Sequence, residues 1–234
     1  MPRYPVLAIA ALLATGTALA APAVQANLLL NGSFEQAPAG NGDTNNRSFA
    51  SLPGGSGTGS WDTWTSLPGW AAVQPNGAIE IQTKNTVGVT PQDGQYYVEL
   101  DSHPTARANS SMTQEFNAGG GTGTLSYYYR PRTNTSGENG IRVYLNDLLV
   151  STADGPPAPP FGVWTPITIA NLALKNGTNE LRFEAFGSNA TYGGFIDNVV
   201  LTPIPGAALL FGSALAGLAW VRRRNGSPPA ALPA

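Results

Sequence analysis

The residues of this chain best suited to chemistry are its aromatic rings. Trp61, Trp64, Trp70, Trp164 and the run Tyr127-Tyr128-Tyr129 stand among amides and carboxylates. A ring face matches the apolar C–H face of a pyranose, and neighbouring amides or carboxylates bind its hydroxyls. In a strand, Tyr127 and Tyr129 share one face and Tyr128 takes the other, so Tyr128 is expected away from the core. Trp70 and Trp164 sit beside apolar neighbours at strand entrances and read as packing residues. Trp61 and Trp64 close a long polar loop and are the expected ligand contacts. Tyr144, with Arg142, Arg182 and Glu184, forms a second candidate surface, for which a plain solvated sheet face is the alternative.

Catalytic patterns are sparse. There is no Gly-x-Ser-x-Gly elbow and no His-Glu-x-x-His, and Gly119-Gly120-Gly121-Thr122-Gly123 lies between strands, where it reads as a hairpin rather than a phosphate loop. His103 is the only histidine, and Asp101-Ser102-His103-Pro104 reads as a loop. Paired carboxylates could hydrolyse a glycoside, but spacing selects no pair. Cysteine is absent, which excludes a disulfide framework, thiol redox chemistry and Cys-based metal sites. All 14 acidic residues fall between Glu35 and Asp197, so this part is more acidic than the whole-chain charge of −2, which argues against nucleic-acid binding.

The elements that must position these residues are short strands. Glycine, proline, asparagine and serine recur between brief apolar runs, and no segment holds a helical period for three turns. Strands are expected over 28–34, 78–82, 96–100, 112–116, 123–130, 141–145, 164–169, 180–186 and 195–201. Leu181, Phe183 and Ala185 alternate with Arg182 and Glu184. Ile141, Val143 and Leu145 alternate with Arg142 and Tyr144, and Tyr96, Val98 and Leu100 with Tyr97 and Glu99. This is the pattern of sheets with one buried and one wet face. Asn146-Asp147 predicts a tight hairpin and Lys175-Asn176-Gly177-Thr178 a second turn. The segment 36–60 has little apolar material and reads as a mobile surface loop, while 154–160, rich in proline, reads as a stiffer one. The whole points to an all-β sandwich or barrel.

Both ends read as addresses. Residues 1–26 carry one early cation, Arg3, an apolar stretch and then small residues, as a signal peptide does; cleavage after Ala20 is the alternative to Ala26. At the other end, Pro203-Ile204-Pro205 precedes an uncharged run to Val221 and then Arg222-Arg223-Arg224. As a helix, 204–221 would span about 27 Å, enough for a hydrocarbon core, with the arginines on the cytoplasmic side. Residues 225–234 read as a disordered tail. Removing both ends leaves 27–202 as one domain.

The C-terminal pattern resembles the sorting tail of PEP-CTERM proteins of Gram-negative bacteria, with Ile204 where the family name implies Glu. That resemblance implies recognition by an exosortase-type membrane protease, passage through the membrane and delivery to the cell surface or exopolysaccharide matrix. A simple uncut tail anchor is the alternative. Within the domain, Asn27-Leu28-Leu29-Leu30-Asn31-Gly32-Ser33-Phe34-Glu35 opens it, Leu67-Pro68-Gly69-Trp70 follows and Phe195-Ile196-Asp197-Asn198-Val199-Val200-Leu201 closes it. This combination resembles galactose-binding-like jelly rolls, including many carbohydrate-binding modules. The resemblance implies a jelly-roll β-sandwich and a non-enzymatic module that binds or organises extracellular polysaccharide. It also implies a structural Ca2+ shared by Glu35 and Asp197, the alternative being that these two serve only local structure. A glycan hydrolase or lyase and a purely structural matrix protein are the rival functions.

Overall fold

The computed structural model describes residues 26–73, 77–100, 109–187, 192–204 and 220. Residues 1–25 of the expected signal peptide, His103, Pro205, Arg222, Arg223, Arg224 and the tail from 225 lie outside the described residues, as does the expected membrane segment apart from Ile204 and Trp220. Among the described residues, no helix is long and apolar enough to cross a membrane.

The described strands are β1 (Trp61–Trp64), β2 (Ser66–Leu67), β3 (Trp70–Ala72), β4 (Ile79–Thr83), β5 (Tyr96–Leu100), β6 (Ser111–Pro131), β7 (Gly140–Leu145), β8 (Leu148–Ala153), β9 (Thr165–Phe186) and β10 (Gly194–Ile204), with one α-helical turn, α1 (Lys84–Val87), and two 3-10 turns, Phe49–Gly54 and Gly57–Gly59. All pairings are antiparallel. β6 and β9 pair from Ser111 with Glu184 to Tyr129 with Thr165. Straight, the 21 residues of β6 would reach about 70 Å, well beyond the width of a domain this size, so the pair must fold over.

The crease falls where Gly119 faces Asn176 and Gly121 faces Leu174. Gly120, Gly121 and Gly177 hold φ of 79°, 89° and 93° there, values that side chains on Cβ disfavour. The hairpin expected at Gly119–Gly123 and the turn expected at Lys175–Thr178 are therefore corrected: each is part of a continuous strand, and the two pieces lie against each other. A glycine signal marks backbone freedom equally well for a turn and for a crease.

The crease divides the sheet into two layers. The first runs β8-β7-β9-β6-β3-β2 and uses the C-terminal half of β9 with the N-terminal half of β6. The second runs β9-β6-β10-β5-β4-β1 and uses their other halves. The layers face each other: Tyr127 of the second meets Phe183 of the first edge-on, with ring centroids 5.2 Å apart. Met112, Phe116, Ile141 and Leu181 of the first layer join Ile81, Leu125 and Ile196 of the second in one buried cluster. Each fully buried large apolar side chain contributes about 1.5–3 kcal/mol. The architecture is the expected all-β jelly-roll sandwich.

Alternation holds in β7 and β9, where the apolar residues are buried and Arg142, Tyr144, Arg182 and Glu184 are half-buried on the outside. Asn146 and Asp147 turn the β7–β8 hairpin with φ of 52° and 66°, as that dipeptide predicts. β5 departs from expectation: Tyr97 and Glu99, read as wet, are buried along with Tyr96, Val98 and Leu100.

The opening segment 28–34 is corrected from a strand to a strap of bends. Asn31 and Phe34 hold φ of 52° and 61°, which no extended strand allows. The strap still joins the two ends of the domain. Leu28 N donates to Leu201 O and Val199 N to Gly32 O, both at 2.8 Å. A Cβ on Gly32 would lie 1.9 Å from Val199 O, so only glycine permits the approach. Gln114 accepts from Leu30 N and donates to Leu30 O, taking the place of a neighbouring strand.

Segment 36–60 is anchored rather than loose. Phe49 and Leu52 enter the core, and Asn41 bridges Ser48. Asp62, fully buried, holds the near part. Its Oδ1 accepts from Thr44 N, Asn45 N and Thr63 N, and its Oδ2 from Arg47 N.

Candidate functional site

The outward side of the second layer gathers most of the polar and aromatic residues that the core does not take. Along β6, the two-residue period puts Tyr128 and Arg130 on that side, opposite the buried Tyr127 and Tyr129, and Arg132, in the bend just past the strand, reaches Glu99 there. Register then sets a line across four strands: Glu80 of β4 faces Glu99 of β5, Glu99 faces Phe195 of β10, and Phe195 faces Arg130 of β6.

Two carboxylates directly opposite each other repel, and both are buried, so they need partners. Gln82 Nε2 donates to Glu80 Oε1 at 2.7 Å and also to Glu99 Oε2. Arg132 Nη1 lies 2.5 Å from both Glu99 oxygens, and Gly193 N donates to Glu99 Oε1 at 2.9 Å. Tyr97 donates its hydroxyl to Gln82 Oε1 at 2.9 Å. Burial first, and then the Glu99 charge, push the Tyr97 phenol far above its ordinary range. The cluster is a fixed hydrogen-bonded floor.

Above it lie rings and a guanidinium with unspent capacity. The Tyr192 ring sits 4.7 Å from the Arg132 guanidinium carbon and is 45% exposed. Phe161 and Val163 are each 50% exposed, and Gly162 between them lies next to Arg130, whose Nη2 would be 3.9 Å from a Cβ built there. Arg130 Nε is buried and has no hydrogen-bond partner, and burial lowers the pKa of its guanidinium. Trp164 packs edge-on against Tyr97 at 5.9 Å and donates Nε1 to Thr90 O at 2.8 Å. Exposed ring faces beside immobilised donors are what a sugar-binding surface requires.

The four expected ligand residues do not form one site. Tyr128 and Trp61 are half-buried on this same side, Tyr128 in β6 and Trp61 on the far edge strand, β1. Trp64 is only 3% exposed and meets Phe49 edge-on at 6.0 Å, so the structure corrects it to a core residue with no face for a ligand. Tyr144 is on the other layer, where Arg182 covers its ring at 4.2 Å. There Arg142 and Arg182 flank Glu184 at 3.5 and 2.8 Å, a solvated ion-pair lattice. Trp70 is buried as expected and Trp164 is partly buried. Arg130, Arg132, Glu99, Phe161 and Tyr192 were not anticipated. The alternation Tyr128-x-Arg130-x-Arg132 carried the signal for two of them.

Glu35 and Asp197 converge on one loop. Glu35 Oε1 accepts from Gln95 N at 2.8 Å and Tyr96 N at 3.0 Å. Asp197 Oδ2 accepts from Gln92 N and Asp93 N, and Oδ1 from Asn198 N, at 2.7–2.9 Å. Asn198, with φ of 51°, is the bulge that breaks the β10 register after Asp197. Burial pushes the Asp197 carboxyl up to about 7, against the pull of those three amides. Calcium takes six to eight oxygen ligands. Here the groups aimed at the carboxylates are N–H donors, and among the described residues no three His, Cys, Asp or Glu group together to hold a metal. In this geometry both carboxylates serve as acceptors for backbone amides.

No protein-family model matches the chain, and no curated protein matches it. Solved structures do. TmCBM61 in complex with beta-1,4-galactotriose is 16% identical over 76% of this chain and 99% of its own, with a TM-score of 0.42. CBM35 from Paenibacillus barcinonensis is 18% identical over 62% and 100%, with a TM-score of 0.39. A cyclase from Fischerella sp. TAU is 17% identical over 61% and 87%, with a TM-score of 0.45.

Proposed function

We propose that this chain is a non-enzymatic module of the bacterial cell surface or matrix that binds or organises extracellular polysaccharide through the outward side of its second layer. The observation that carries the reading is the exposed Tyr192 ring against Arg132, which the floor fixes, with the exposed Phe161 adjoining Gly162 next to Arg130. Glu80 and Glu99, 5% and 0% exposed, stand too deep to reach a glycosidic bond, which favours binding over hydrolysis. The ends of the chain fit export through the inner membrane of a Gram-negative cell and recognition of 203–224 by an exosortase-type protease. Mass spectrometry of the mature protein from its host tests that part: an intact tail would refute the processing.

Affinity electrophoresis of the purified chain through gels cast with neutral and acidic polysaccharides tests the binding. Retardation is expected, and Tyr192→Ala or Arg130→Ala should weaken it about fivefold to tenfold. Retardation unchanged in both variants would refute this surface. Turnover of a polysaccharide would establish an enzyme, and neither retardation nor turnover would leave a structural matrix role.

A further inference from the structure

The far end of the sandwich carries a surface of another kind. β10 starts at Gly194, beside Pro131 and so between Arg130 and Arg132 in register, and ends at Ile204, paired with Thr122. From Arg130 to Thr122 the strand rise gives roughly 25 Å, so the chain leaves the sheet at the end remote from the candidate binding residues. Thr122 pairs in turn with Ala173 of β9. At about 4.8 Å per strand, Ile204 exits about 10 Å from Ala173. Ala173, Leu174 and Lys175 line a hollow there with Leu145, Asn146 and Leu148.

The hairpin tip at this hollow is apolar and rigid. Leu148 is 68% exposed and Leu149 49%. The turn before them is held to β9: Asn146 Nδ2 donates to Asn179 Oδ1 at 3.0 Å, and Glu180 N donates to Asn146 Oδ1 at 3.1 Å. Two adjacent leucines on a fixed turn show apolar surface that water does not favour. Of the neighbouring charges, Lys175 is exposed, and Asp147, 88% exposed, lies 3.5 Å from Arg182.

One residue past Ile204 the sequence enters the uncharged run 206–221, which ends on three arginines. A chain that leaves the sheet here and enters a bilayer almost at once brings this end of the domain to the membrane surface. We propose that the Leu148-Leu149 tip is a membrane-interface contact, seated among the headgroups and upper acyl chains of the same bilayer that 204–221 crosses. Lys175 beside it meets lipid phosphate. The inference rests on reading 204–221 as a membrane segment. Its consequence is orientation: while 204–221 is uncut, the domain stands with Arg130, Arg132 and Tyr192 pointing away from the lipid.

The chain has no cysteine, so a single label can be placed cleanly. The full chain is made as Leu148→Cys and, as the control at the other end, Phe161→Cys. Each is labelled with an environment-sensitive dye and reconstituted into phosphatidylcholine–phosphatidylglycerol liposomes. Floating proteoliposomes in which headgroup-proximal spin-labelled lipid quenches the 148 label at least about threefold more than the 161 label are the expected result. Flotation with equal quenching at both positions overturns the inference and leaves the anchor standing. Chain that stays at the bottom of the gradient overturns the anchor and the inference with it. A 148 signal that follows protein density rather than quencher lipid, with 148–148 crosslinks, assigns the tip to a second copy and also overturns the proposal. Leu148→Ser/Leu149→Ser, both at exposed positions, should keep the fold and flotation of the parent while the remaining surface tilts. A 161 label that then becomes quenched supports the orienting role, and one unchanged by the double substitution counts against it.

Discussion

Asp62→Ala tests whether one buried carboxylate holds down the long polar segment before it. The substitution removes the acceptor of four backbone N–H groups, those of Thr44, Asn45, Thr63 and Arg47, at 2.7–2.9 Å. A hydrogen bond to an ionised acceptor contributes about 1.5–3 kcal/mol, which sets an upper bound of about 12 kcal/mol for the four. Thr44 and Asn45 are half-buried and Arg47 is exposed, so their amides regain water once the loop lifts. The loss that remains is about 3–5 kcal/mol. For a domain of this length, a melting midpoint lower by about 10 °C follows. Asp62→Asn keeps the shape and one acceptor but sets an NH2 group against one of the amides, and should cost about 1–2 kcal/mol. Calorimetry orders the three proteins. Amide hydrogen exchange then locates the effect, with Thr44, Asn45 and Arg47 exchanging at least about a hundredfold faster in Asp62→Ala. If Asp62→Ala melts within about 2 °C of the parent and those amides stay protected, the segment is held by Phe49 and Leu52 instead, and the reasoning fails.

Two further outcomes follow from the other carboxylates. Asp197 has a folded-state pKa of about 7 against 3.8 for the free side chain, so the folded protein holds that proton more tightly. Its contribution to stability is complete below about pH 4 and is lost as pH rises through about 7, by about 4 kcal/mol over the full range. Denaturant melts at pH 5 and pH 8 should show that fall and Asp197→Asn should abolish it; a parent more stable at pH 8 would mean that the amides outweigh burial. EDTA should move the melting midpoint by less than about 1 °C, because the groups around Glu35 and Asp197 are N–H donors. A drop of about 5 °C or more, reversed by added Ca2+, would show that an ion does bind the native state.

What the sequence disclosed depended on whether the signal was local. β7 and the C-terminal half of β9 were legible because their alternation is carried by adjacent residues, as is the Asn146-Asp147 turn; β8, whose burial does not alternate, was not among the expected strands. β6 and β9 were cut in two because Gly119–Gly123 and Lys175–Thr178 look like turns, and only their pairing across the sheet shows that they form one crease. The opening strap was legible as a partner of 199–201 but not as bends, since positive φ at Phe34 follows from packing and not from residue type. The ligand residues were legible only in part. Trp64 and Trp61 are alike in sequence, yet Trp64 pairs with Ile79 and Trp61 with Gln82, which sends one ring inward and the other outward. Tyr192 acquires meaning only because the fold brings it over Arg132, 60 positions away in the chain.

The placement of the acidic residues also bears on what the chain can do. A domain without disulfides must hold its loops by other means, and here Glu35, Asp62 and Asp197 each accept backbone amides from a loop distant in sequence. Asp154 accepts from Gly137 N, and Glu138 from the Thr133 hydroxyl. Glu99 and Glu184 are tied to arginines. A general acid or base needs a carboxylate that can reach a substrate and change its protonation state there, and these are committed to backbone amides, hydroxyls or guanidinium groups inside the protein. What faces outward at the Arg130 end is instead aromatic and cationic. Such a surface is suited to gripping a polymer. Among the described residues, Glu35, Asp62, Glu99 and Asp197 thus act as staples, while the Tyr192 ring and the arginines at the Arg130 end face outward, a division of labour that fits the proposed binding role.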